Sequence, residues 1–122
     1  MTRPLAVLAL LVAAVTGAQA HHSSAMYDQE KTLTLRGVVT QVRWTSPHVN
    51  VSVLSDAVRG QPGVAWVLEA TSPGNLMRAG WTRTSIKVGD RVSVVVAPLR
   101  DGTHGGWCRG VTLLDSGRKL EC

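Results

Sequence analysis

Trp44-Thr45-Ser46-Pro47-His48-Val49 is the stretch around which the rest of this sequence is organised, because two apolar-rich runs meet there and Pro47 separates them. After Pro47, the polar residues His48, Asn50 and Ser52 alternate with valines. A period of two predicts a strand with one apolar and one polar face. His48 stands at the head of the polar face, so the same stretch also supplies a candidate metal ligand.

The segments on either side of this turn predict further strands. Residues 32–44 form a long first strand whose apolar face changes sides between Gly37 and Gln41. A bulge or sharp bend produces such a change, and Gly37 is a suitable position for it. The other predicted strands are 48–54, 64–70, 91–98 and 107–114.

A short helix is predicted between the third and fourth strands. Ser72 is placed as its N-cap, Pro73 at its first position and Gly80 as its C-terminal cap. Such a helix has about two turns, with Leu76 toward the core. We expect it to close one end of a barrel; the alternative is an N-terminus that holds an anion.

The order of these elements predicts the fold. Three strands, a short helix and two more strands, with a bent first strand, are the order of an OB fold. We therefore predict an all-β protein with one short helix, a small five-stranded OB-like barrel over residues 32–115. An N-terminal arm at 21–31 and a C-terminal tail at 116–122 flank it. The alternative is another small β-sandwich or open barrel.

Residues 1–20 have the pattern of a secretory signal peptide. Arg3 is followed by the uncharged apolar run from Leu5 to Val15, and Ala18-Gln19-Ala20 fits a cleavage site. The alternative is an uncleaved membrane anchor, but the run is too short to span a bilayer stably. We expect a periplasmic or secreted protein with no membrane span after cleavage.

The charge of the chain is modest and scattered. The 122 residues carry a formal charge of +5, which falls to +4 when Arg3 is removed with the signal peptide. Nucleic-acid binding requires a basic stripe with stacking aromatics, and none is visible. We expect a monomer that binds an unknown ligand or periplasmic protein rather than nucleic acid.

Cys108 and Cys122 are the two cysteines, and export permits a disulfide between them. It would close a loop of about fifteen residues, worth roughly 3 kcal/mol. Cys122 is the last residue, so two free thiols or an intermolecular bridge remain open.

The histidines indicate a metal site. Cleavage after Ala20 would leave His21 and His22 at a free amino terminus, and an amine beside imidazoles suits Cu(II), which favours nitrogen donors in a plane. His48 is the candidate third ligand; the alternatives are an acid or base or a histidine bonded to a turn. His104 lies in a Gly-rich loop and is expected to be exposed. Copper is therefore the candidate cofactor.

No catalytic set is visible in the sequence. It has no nucleophile elbow, no carboxylate pair for glycoside chemistry, no phosphate-binding Gly loop and no thioredoxin-like cysteine pair. We predict that the protein is not an enzyme. The second functional hypothesis is a metal-independent barrel that binds a ligand or protein at a rim of Trp44, Arg78 and Trp81, although tryptophans at strand ends also serve in packing.

Several motifs together resemble a known family. They are His21-His22-Ser23, Trp44-Thr45-Ser46-Pro47-His48-Val49, Ser72-Pro73-Gly74-Asn75-Leu76-Met77-Arg78-Ala79-Gly80-Trp81, Gly89-Asp90-Arg91-Val92 and Pro98-Leu99-Arg100-Asp101-Gly102. The set is similar to a family of small exported bacterial proteins of unknown function, in which Asn usually stands at the position of Ser46. The resemblance implies export and a small β-barrel-like domain, supplies no reaction, and draws attention to His21, His22 and His48.

Overall fold

The structure is a computed structural model that describes the backbone of residues 22–122 and the side chains of residues 24–122. The predicted signal peptide and His21 lie outside the described residues. The elements, in chain order, are α1 His22–Ala25, β1 Leu33–Arg43, β2 Asn50–Ser55, β3 Ala65–Glu69, α2 Pro73–Arg78, β4 Arg91–Pro98, β5 Gly105–Leu113 and β6 Lys119–Glu121.

The strands close into a five-stranded barrel around β1. This long strand pairs antiparallel with both β2 and β4, while β3 joins β2 and β5 joins β4. A parallel pairing of β3 with β5 closes the sheet on itself. With α2 between β3 and β4, this is the topology of an OB fold, and the predicted fold class is confirmed.

The bend of β1 lets one strand serve both halves of the barrel. Its first half pairs with β4 and its second half with β2, and the register shifts between Val39 and Gln41. The predicted change of sides is therefore confirmed, a few residues beyond Gly37. Gly37 is required for a different reason: a Cβ atom there would collide with the carbonyl oxygen of Leu54.

The barrel interior is filled mainly by valines, and α2 closes one end of it. Ser72 caps this helix, since its Oγ accepts a hydrogen bond from the Asn75 amide at 3.2 Å. Leu76 is fully buried in the core cluster, and Gly80 follows the helix with a φ of 94°. The predicted helix, with its cap and its buried leucine, is confirmed.

The predicted C-terminal tail is part of the sheet. Residues 119–121 form β6, which pairs antiparallel with β5, and Cys122 is joined to Cys108 by a disulfide. Three residues are too few to show the alternation that predicts a strand.

The predicted N-terminal arm is likewise packed against the barrel. Tyr27 is 5% exposed and forms a bridge with Leu99. The Asp28 amide donates to the Pro98 carbonyl at 2.8 Å, and the Arg100 amide donates to the Met26 carbonyl at 2.9 Å. The arm is thus fixed beside the loop that joins β4 to β5. Within the described part of the chain, no helix has the length and apolar character needed to cross a membrane.

Candidate functional site

His48 is held in one orientation by the backbone. It lies in the connection between β1 and β2, directly after a cis Ser46–Pro47 peptide, and its side chain is 29% exposed. Its Nδ1 is 3.0 Å from the carbonyl oxygen of Ala70. A carbonyl oxygen only accepts, so Nδ1 carries the proton in this bond. In the neutral imidazole, Nε2 then has a free lone pair, the form in which histidine binds metals.

Glu69 lies next to His48 at the end of β3. In the sheet it is opposite Asn50 of β2 and Trp107 of β5. Its Oε1 is 3.5 Å from Nε2 of His48, and its Oε2 accepts a hydrogen bond of 2.6 Å from the Tyr27 hydroxyl. Since Leu68 points into the core, Glu69 points to the outer surface of the barrel. The carboxylate therefore connects the N-terminal arm to the β1–β2 loop.

The Trp107 ring packs near the rings of both His48 and Tyr27. The ring centroid of Trp107 is 5.6 Å from that of His48 and 5.9 Å from that of Tyr27. Burial, together with the hydrogen bond to Glu69, raises the pKa of Tyr27 well above its usual range, so its hydroxyl stays a neutral donor. We call Tyr27, His48, Glu69 and Trp107 the His48 cluster.

The predicted metal ligands are only partly described. His48 is on the surface, as expected. His22 is the first residue of α1, five positions before Tyr27, but its side chain and the whole of His21 lie outside the described residues. His104 is exposed and its ring packs edge-on against Trp66 at 5.1 Å. Among the side chains that the structure describes, no three His, Cys, Asp or Glu residues come together as a metal site.

The prediction that Trp44, Arg78 and Trp81 form a ligand-binding rim is wrong for Trp81, which is buried. Trp81 is 3% exposed and belongs to the core, where its indole nitrogen donates to the Glu121 carbonyl at 2.6 Å. Trp44 is partly buried against the same core. Arg78 is exposed and bonds Asn75 one turn earlier in its own helix. A tryptophan that follows a helix C-terminus is thus used to seal the barrel here, not to contact a ligand.

A comparison with protein families identifies the family to which this chain is related. The model of the Family of unknown function (DUF6152) matches residues 8–108. The chain belongs to this family. The resemblance expected from the motifs is thereby confirmed at the level of a family of unknown function. A comparison with curated proteins gives no match for this DUF6152 member.

Solved structures similar to this DUF6152 protein share its fold. Two crystal structures of the mitochondrial single-stranded DNA-binding protein Rim1 from S. cerevisiae match with TM-scores of 0.53 and 0.51. Their sequence identities are 12% and 11%, and each match covers 69% of this chain and 93% of the other. At such identities the likeness shows the fold alone.

Sequence reasoning missed three members of the His48 cluster, namely Tyr27, Glu69 and Trp107. A signal for Glu69 was present: Trp66, Leu68 and Ala70 share one parity, so Glu69 must face outward. Its partners are 42 and 21 positions earlier in the chain, and only the closed barrel brings them together.

Proposed function

We propose that this DUF6152 protein is an exported binding module that holds a transition-metal cation on the outer surface of its barrel. The ligands are His48 and the histidines of the mature N-terminus, His21 and His22, and copper is the first candidate. The observation that carries the proposal is the hydrogen bond from Tyr27 to Glu69. It fixes Tyr27, which follows His22 by five residues, to the carboxylate that faces the imidazole of His48.

The orientation of His48 supports a ligand role. Metal-binding histidines usually donate their second ring N–H to a carbonyl or carboxylate, which fixes the ring and its tautomer. Ala70 supplies such a carbonyl.

The length of the arm allows its histidines to reach the same place. His22 is five residues before Tyr27. Five residues rise about 8 Å in a helix and span about 17 Å when extended. The Tyr27 ring contacts the Trp107 ring that also contacts His48. After cleavage at Ala20, His22 would lie within this distance of Tyr27, with His21 and its free amine one residue further, which gives a nitrogen-rich set that suits Cu(II).

A second function has one observation in its favour. The outer faces of β2 and β3 carry the exposed apolar residues Leu54 and Val67, which are 46% and 55% exposed, and this is the face with which OB folds bind ligands. A metal-independent partner would use this surface. The Rim1 proteins are described as single-stranded DNA-binding, but aliphatic side chains here do not offer the stacking and positive charge that such binding uses.

The experiment is a Cu(II) titration of protein that begins at His21, compared with the same protein whose terminal amine is acetylated. We expect one equivalent to bind, and acetylation to lower the affinity by at least about tenfold because it removes the amine nitrogen from the chelate. His48→Ala should lower it as well, whereas His104→Ala, the matched control, should not. Equal, weak binding by all four proteins would contradict the proposal.

A further inference from the structure

A neutral imidazole at His48 cannot form a hydrogen bond with Glu69. Its N–H group is Nδ1, which donates to the Ala70 carbonyl, so Nε2 presents a lone pair to Oε1 of Glu69 at 3.5 Å. Two electron-rich atoms facing each other at this distance favour a cation between them. The Tyr27 hydroxyl satisfies only the other oxygen of the carboxylate.

The spacing also fits a particular coordination geometry. Two ligand atoms that are each about 2.1 Å from one ion lie about 3.4 Å apart at a tetrahedral angle, and about 3.0 Å apart at a right angle. The distance of 3.5 Å between Nε2 and Oε1 agrees with the tetrahedral arrangement. Imidazole nitrogen and carboxylate oxygen are both common ligands of zinc.

We propose that Glu69 and His48 are direct ligands of a divalent cation of the zinc type, bound between Oε1 and Nε2. Both ligands are oriented by a second bond, His48 through Ala70 and Glu69 through Tyr27, which is the arrangement that strengthens a metal site. The Trp107 ring lies edge-on to the His48 ring, with centroids 5.6 Å apart, and packs beside this ligand.

This site extends the proposed function, since it shares His48 with the copper site. It does not need the terminal amine. The remaining positions around the ion are filled by water, which gives the four ligands that zinc usually takes.

The test is a Zn²⁺ titration of the mature protein and of Glu69→Gln, which keeps the shape of the side chain and an acceptor for Tyr27. We expect the affinity to fall by about 100-fold in Glu69→Gln and His48→Ala, and by about tenfold in Tyr27→Phe, which removes only an orienting bond. Glu121→Gln, an exposed glutamate on β6, is the matched control and should bind as the unchanged protein does. Thermal unfolding without metal verifies that each variant is folded.

Co²⁺ provides an independent measurement, because its visible absorption is intense in tetrahedral sites and faint in octahedral ones. The intense bands should appear in the unchanged protein and in the acetylated one, and should be absent from Glu69→Gln. Zn²⁺ binding that Glu69→Gln leaves unaltered would overturn the proposal, as would the absence of Zn²⁺ binding. Loss of Cu(II) binding on acetylation, with unaltered Zn²⁺ binding in Glu69→Gln, would retain the copper site and reject this one.

Discussion

At the level of single residues, one atom of His48 and one of Glu69 have hydrogen-bond partners that orient the side chains, while Nε2 of His48 and Oε1 of Glu69 face each other at 3.5 Å. Nδ1 of His48 is bonded to Ala70 and Oε2 of Glu69 is bonded to Tyr27. Tyr27 makes two different contacts: its hydroxyl orients the Glu69 carboxylate, and its ring packs near the ring of Trp107.

Tyr27→Phe removes the hydrogen bond to Glu69 and keeps the ring beside Trp107, so it measures the contribution of the hydroxyl alone. A hydrogen bond to a charged group contributes about 1.5–3 kcal/mol, and we expect a loss near the lower end because Glu69 is 20% exposed. The expected decrease in the free energy of unfolding is about 1.5 kcal/mol, measured by urea denaturation. An unchanged free energy, with unchanged amide exchange at residues 25–30, would show that the hydroxyl does not fix the arm.

At the scale of the element, the sequence predicted what depends on local patterns. The alternation in β2 and β4, the capped helix and the switch of faces in β1 are properties of short windows, and each is found in the structure. The three-residue β6 and the docking of the arm depend on contacts with β5 and with the β4–β5 loop. Tyr27 and Leu99 are far apart in the chain, so the docking of the arm could not be read from the sequence. The strand β6 follows β5 closely, but its three residues are too few to show an alternation.

The disulfide fixes β6 to the barrel, and its removal gives a prediction for this element. Cys108 is 4% exposed in β5 and Cys122 ends the chain after β6. The Cys108→Ala, Cys122→Ala double variant should lose about 3 kcal/mol of unfolding free energy, because the loop of about fifteen residues is no longer closed in the unfolded chain. Urea denaturation of oxidised protein and of the variant measures this. Equal midpoints would show that β6 does not need the link.

At the scale of the whole molecule, the barrel acts as a rigid support that brings distant segments to one place. The arm, the β1–β2 loop, the end of β3 and the start of β5 each contribute one residue to the His48 cluster. The fold was predictable from the order of the elements, whereas the cluster was not, because its members come together only when β3 pairs with β5. Of its four residues, the sequence identified His48 alone.

The proposed copper site requires that the N-terminal histidines and His48 bind one cation together. Pulsed electron paramagnetic resonance of protein that begins at His21, loaded with one equivalent of Cu(II), tests this claim because the method counts the imidazoles coordinated to copper. We predict that His48→Ala loses one coordinated imidazole while His104→Ala keeps the full number. An identical count in unchanged protein and His48→Ala would show that the barrel contributes no ligand, and would contradict the claim.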